Sequence, residues 1–112
     1  VLERDIVLDE KTLSELEHVF GLVQKGFAMS IDTLSTGNIE KVKEVITIER
    51  EIDRLKIEIR DKYMKRMNKG IASADSGIFV MDLLSNLERI SDHFRNIGET
   101  VQRLGRPVVV TE

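Results

Sequence analysis

Two acid-x-x-x-acid pairs, Glu49 with Asp53 and Glu88 with Asp92, are the residues best placed to do chemistry in this cysteine-free chain. On a helix, side chains four residues apart share a face, with Cβ atoms about 6 Å apart. Two such pairs on neighbouring helices would present four carboxylates to hard cations such as iron or manganese. Spacing alone does not single them out. Four acid pairs at i,i+4 occur among the 20 acidic residues, the others being Asp5 with Asp9 and Glu40 with Glu44; roughly three are expected from random placement at that spacing.

Position separates them. On a helical wheel, Glu49 and Asp53 fall between Ile52, at the centre of an apolar stripe, and Val42 and Ile46 at its edge. Glu40 and Glu44 fall outside the apolar arc. Like charges beside a buried stripe repel and lose hydration, so they need a cation close by. That cation is either a metal or a basic side chain, and Lys56 and Arg60 lie on the same face. The second option makes a half-buried salt-bridge seam. Asn96 and Glu99 continue the Glu88/Asp92 face by one and two turns, which adds Asn96 as a candidate ligand. His93 falls on the far side of its stripe, and His18 lies on a different helical segment.

The elements that must position these groups are helices. The single proline, Pro107, stands near the end, so about a hundred residues run without an obligatory helix breaker. Leu13, Leu16, Phe20, Val23, Phe27, Ser30 and Leu34 repeat at spacings of three and four, a helical stripe. Asp9 or Thr12 caps its start, and Thr36-Gly37-Asn38 ends it. A second helix is expected from Ile39 to Asn68 on Val42, Val45, Ile48, Ile52, Leu55, Ile59 and Tyr63, closed by Gly70. Ser73 or Asp75 caps a third, whose stripe is Val80, Leu83, Leu87, Ile90, Phe94, Ile97, Val101 and Leu104, stopped by Gly105, Arg106 and Pro107. The expected fold is all-α, an up-down-up antiparallel three-helix bundle over residues 9–105. An N-terminal extension, 1–8, precedes it, and a C-terminal tail, 106–112, follows and is expected to fray from Val108 onward.

Height in the bundle supports the pairing. The acidic pairs are centred at positions 51 and 90, and their midpoint falls between Gly70 and Ile71, where the hairpin must turn. Both pairs occupy the same rotational side of their stripes, so they either face each other across one groove or both face away. The first helix offers Gly21 and Gln24 at this level and no inner carboxylate, so a cluster built from helices two and three is open on one side, to water, an anion such as phosphate, or a second protein surface.

Composition narrows the function classes. The 112 residues supply one core. Seventeen basic against twenty acidic residues, a net charge of −3 and 4% aromatic residues argue against nucleic-acid binding. No apolar run approaches the roughly 18 residues of a membrane span. No phosphate-cradling glycine loop or Ser/His/Asp arrangement is evident, and a ferritin-like di-iron centre is built on four helices, so no enzyme is expected. The first residue is Val, which reads as a processed or excised segment of a larger protein.

The segment Asp82-Leu-Leu-Ser-Asn-Leu-Glu-Arg-Ile-Ser-Asp-His-Phe-Arg-Asn-Ile-Gly-Glu99 resembles the LERIGDHAxNIAE signature of PhoU-like domains. Ile48-Glu-Arg-Glu-Ile-Asp-Arg-Leu55 is similar to that family's other acidic helix motif, and the Gly37-Asn38 break falls where one PhoU repeat has it. The likeness covers nearly the whole bundle. Ser91 stands where the family has a small Gly, and Phe94 where it has Ala. The resemblance implies a regulator of phosphate uptake that binds metal clusters on the bundle surface through Glu49, Asp53, Glu88, Asp92 and Asn96. Iron is the first expectation for the metal, with zinc, nickel or manganese as alternatives. A complete regulator has two repeats and this chain has one, as in the cytoplasmic C-terminal domain of bacterial Na⁺/phosphate cotransporter-related proteins, which the Tyr63 and Gly70-Ile71 stretch also resembles. The expected partners are a membrane transporter segment or other phosphate-transport proteins and a second copy in a homodimer, and the expected location is the cytoplasmic face of the membrane. Two other readings stand beside it. One is a stand-alone or split PhoU-type regulator acting as a dimer. The other is a metal-free helical interaction module whose carboxylates pair with Lys56, Arg60 and Arg95.

Overall fold

A computed structural model describes residues 6–109 and 111. Asp5, the rest of the first five residues of the expected extension, and positions 110 and 112 of the tail lie outside them. Helix α1 spans Glu10–Thr36, α2 Ile39–Asn68 and α3 Ala74–Leu104. Each helix packs against both others, which makes the expected three-helix bundle.

Local chemistry sets each boundary. The Asp9 carboxylate accepts from the Thr12 N–H at 3.1 Å and from its hydroxyl at 2.6 Å, satisfying a donor that the first turn leaves open. Gly37, at φ 63°, ends α1 in the left-handed region, and Asn38 immediately caps α2 by accepting from Glu40 N–H. Ser73 caps α3 through Ser76 N–H. The turn between α2 and α3 is pinned by the Tyr63 hydroxyl, which donates to Ser73 O at 3.1 Å.

The core corrects two of the expected stripes. On α1 the buried residues are Thr12, Leu16, Val19, Val23, Gly26, Ser30 and Thr33, while Leu13, Phe20 and Phe27 are exposed. The inner face thus combines Leu16, Val19 and Val23 with small or polar side chains, while both phenylalanines of α1 point outward. Gly26 explains the rotation. A Cβ there would meet Phe94 Cε1 at 2.7 Å and Cε2 at 2.8 Å, so the absent side chain is the slot into which the fully buried Phe94 ring fits. This also accounts for Phe94 in a position where the resemblance expects Ala. On α3 the buried set is Ser76, Gly77, Val80, Leu84, Leu87, Ser91, Phe94, Gly98 and Val101, whereas Ile90 and Leu104 are exposed. Small residues admit the neighbours here as well: Gly98 lies against Val42 and Val45 of α2.

The tail differs from the fraying expected of it. Val108 N–H donates to Leu34 O at 2.8 Å, and Pro107 packs so tightly on Gly37 that a Cβ there would lie 2.6 Å from Pro107 N. The chain after α3 therefore seals the α1–α2 turn as far as Val108. At the opposite end, Ser76 Oγ donates to Val7 O at 2.9 Å, tying residues just before α1 to the start of α3.

Candidate functional site

Cross-helix pairs resolve whether the acidic faces meet. Arg95 of α3 donates to Glu49 of α2 at 2.8 Å, and Lys56 of α2 donates to Glu88 of α3. Each carboxylate takes its cation from the opposite helix, so Glu49 and Glu88 both lie on the α2/α3 seam, about 10 Å apart along it. Each of these pairs also centres on position 72, which makes α2 residue n level with α3 residue 144 − n. The turn lies about one and a half residues beyond the midpoint inferred from sequence. That offsets the two acidic pairs by about three residues, roughly 4.5 Å along the axis, and brings Asp53 and Asp92 nearly level.

Depth grades the set. Glu49, 8% exposed, is the most deeply buried acidic residue among the described residues. Glu88 is half-buried, Asp53 and Asp92 are exposed, and Asn96, also exposed, borders the α1/α3 groove. A carboxylate as buried as Glu49 needs a partner. Arg95 supplies it, reaching Glu99 at 3.4 Å with the same guanidinium. The hydrogen bond to Glu49, strengthened by the charges of Glu49 and Glu99, holds Arg95 more firmly protonated than an ordinary arginine. Arg60 does not join the seam; its nearest acid is the adjacent Asp61, at 3.7 Å.

The donor chemistry of Glu49, Asp53, Glu88 and Asp92 suits a hard cation, whereas the expected fifth ligand, Asn96, borders the α1/α3 groove. In the conformation described, the basic side chains occupy the inner two, and no three acidic or histidine side chains among the described residues converge on one point. Metal binding would require Lys56 and Arg95 to swing outward, and both are partly exposed. Ser91 lies at the level of Asp53. Its hydroxyl is buried without a hydrogen-bond partner, a polar atom enclosed in the same packed layer. His93 lies away from the seam, as its wheel position implies, in the α1/α3 groove with Leu34, Ile97 and Thr100, and Asn96, the expected fifth ligand, lines that same groove.

A second polar cluster escapes a reading by acidic spacing. Arg66 reaches from α2 to the start of α1, donating to Thr12 Oγ1 at 2.7 Å and to Glu15 at 3.1 Å, with Asp9 at 3.7 Å and the Tyr63 ring centroid at 5.8 Å. Burial alone would push the Asp9 carboxyl up. The hydrogen bonds from Thr12 and the Arg66 charge outweigh it and hold Asp9 below the usual range. Burial pushes the Tyr63 phenol up. The only sequence signal for this cluster is an arginine three residues after Tyr63, continuing the buried stripe. Glu15 and His18, which form a Glu-x-x-His sequence, line the adjoining α1/α2 groove with Glu58 and Lys62. Glu15 is bound to Arg66 and lies 3.7 Å from Lys62, so its carboxylate is already paired within this groove.

The sequence profile of the PhoU domain matches residues 16–101, which includes the seam, both acidic motifs and most of each helix. Comparison with curated proteins and with solved structures returned no match. With the profile covering 86 of 112 residues, the chain belongs to the PhoU domain family.

Proposed function

We propose that this chain is a regulatory, metal-binding module of phosphate transport, and that it serves as the cytoplasmic domain of a Na⁺/phosphate cotransporter-related protein. Membership of the PhoU domain family supports the regulatory role. The observation that supports the metal reading is the α2/α3 seam, which brings Glu49 and Glu88 against cations of the opposite helix, with Asp53 and Asp92 one turn further along the same two helices; the reading takes these four and Asn96 as the ligands. Iron is the preferred ion, with zinc, nickel or manganese as substitutes. A bound cation would replace Lys56 and Arg95 as the counter-charge, and its open coordination positions would accept water or phosphate oxygen. In this scheme the two basic side chains pair with Glu49 and Glu88 in the metal-free seam and are displaced when the ion arrives, which couples metal occupancy to the electrostatics of the bundle surface.

A second reading is favoured by the same ion pairs. With Lys56 on Glu88 and Arg95 on Glu49, the two inner carboxylates already have their counter-charges, and the seam serves as a structural, metal-free interaction module. Metal analysis of purified protein separates the two. The metal reading expects stoichiometric iron, or uptake of added Fe²⁺ or Mn²⁺, that is lost in the Glu88→Ala/Asp92→Ala double variant while helicity is kept. Absence of bound metal with melting unchanged by chelator, or the same metal content in the double variant, refutes it. Anomalous scattering at the metal edge would then locate the ion.

A further inference from the structure

We infer that Met67 is an oxidation site at which a hydroperoxide, by converting the thioether to the sulfoxide, releases the packing that holds the α2/α3 turn. None of the groups involved is a candidate ligand of the carboxylate seam, so the metal reading does not bear on it. The chain has four methionines and no cysteine, so thioethers are its only sulfur groups open to two-electron oxidation. Three of the four, Met64, Met67 and Met81, stand on the two arms of the turn between α2 and α3. Their surroundings differ. Met64 is 47% exposed. Met67 and Met81 are half-buried against the core and line one groove of about 350 Å³ with Ala74, Gly77 and Ile78. The groove is open to solvent, and its one charged lining residue is Asp82, so a small hydroperoxide can reach the sulfur.

Gly77 shows how closely the Met67 sulfur sits. A Cβ at Gly77 would lie 2.8 Å from Met67 Sδ and 3.3 Å from Tyr63 Cε2. The sulfur therefore occupies space that the missing side chain leaves free, beside the Tyr63 ring. That ring is fully buried, and its hydroxyl fastens the turn by donating to Ser73 O at 3.1 Å. In the oxidation, the thioether lone pair attacks the terminal oxygen of the hydroperoxide, and the S–O bond forms as the O–O bond breaks. The hydroxyl proton passes to the departing alkoxide or hydroxide, which leaves as alcohol or water. Sulfur loses two electrons and the peroxide gains them. The product carries a polar oxygen in a slot walled by an aromatic ring, a glycine backbone and aliphatic side chains. Its side chain must turn out toward the groove, which empties the slot, unpacks the Tyr63 ring and lets α2 and α3 part at the turn. Met64 is oxidised as readily, but its exposed thioether fills no slot.

Mild hydrogen peroxide treatment of the purified chain in EDTA, with peptide mapping, tests this. Tyr63 is the one tyrosine and the chain has no tryptophan, so its fluorescence reports this site alone. The expected result is one added oxygen at Met67, altered Tyr63 emission and a Tm lower by about 5 °C or more. Amide exchange is expected to quicken at Ile71 and Gly77, at the turn, and to stay unchanged at Gly37 and Val108, at the far end. Methionine sulfoxide reductases should reverse all of these changes. Met67→Leu, which keeps an apolar side chain of similar volume, is expected to abolish the emission and Tm responses. The Met64→Leu/Met81→Leu double variant is expected to keep them. An unmodified Met67 under conditions that oxidise Met64 overturns the inference. So does a full response in Met67→Leu, or sulfoxide at Met67 with emission and Tm unchanged.

Discussion

Gly26→Ala tests the packing that sets the α1 rotation. In an exposed helix interior this exchange stabilises by about 1 kcal/mol, because alanine loses less backbone entropy than glycine. At position 26 the new methyl would meet two Phe94 ring carbons at 2.7 and 2.8 Å, with Cζ closer still, against an ordinary contact of about 3.5–4.0 Å. The ring is fully buried, so it cannot swing into solvent, and α1 must move away from α3. Overpacking of this kind costs about 1–3 kcal/mol, occasionally more. The expected net effect is a loss of about 1–2 kcal/mol, or several degrees in Tm. Gly21→Ala is the matched control: nothing lies within 4 Å of its Cβ, so it is expected to gain about 0.5–1 kcal/mol. Urea unfolding of both variants gives the comparison, and Phe94→Leu should recover part of the Gly26→Ala loss through non-additivity. Equal stabilisation by the two alanines would refute the slot and, with it, the outward placement of Phe20 and Phe27.

Three further outcomes follow from the contacts. Arg95→Met leaves Glu49 buried without its cation and is expected to cost about 1–2 kcal/mol, discounted because Arg95 itself is partly exposed; Glu49→Gln in the same chain should restore most of it in urea unfolding. Gly37→Ala forces a side chain into the left-handed region at φ 63° and against Pro107, so a loss of about 1–2 kcal/mol is expected, together with faster hydrogen exchange at Val108 N–H. Asp9 is held below its usual pKa, so it releases its proton more readily in the folded chain than in the unfolded one. Its contribution is present above the ordinary value of 3.8 and is lost as pH falls through the lower folded value. Asp9→Asn retains a capping side chain but not the titration, so its stability deficit against the native chain should shrink from neutral pH to about pH 2.5. A deficit that stays constant over that range contradicts the assignment.

Helix boundaries were legible in the sequence because they rest on local chemistry. Asp9, Asn38 and Ser73 cap, and Gly37 and Gly105 stop, through bonds within four residues of themselves. The equal-height argument for α2 and α3 came within a few residues of the observed level, because an antiparallel hairpin fixes height by counting from its turn. The α1 and α3 stripes were harder to read. Each of these helices carries two apolar stripes about 60–100° apart on the wheel, and periodicity alone merges them into one. Which of the two enters the core depends on Gly26 accepting Phe94, a fit between residues 68 positions apart.

The candidate site divides the same way. Residue type and helical spacing placed Glu49, Asp53, Glu88 and Asp92 on two faces, because i,i+4 geometry belongs to any helix. Whether those faces meet depends on the order in which three helices pack around one another, and no local interaction encodes that order. The tertiary structure decided it by carrying Arg95 across to Glu49 and Lys56 across to Glu88, which puts both faces on one seam. It likewise decided that Arg66 holds the start of α1 and that the tail seals the α1–α2 turn, since each contact joins segments more than 50 residues apart.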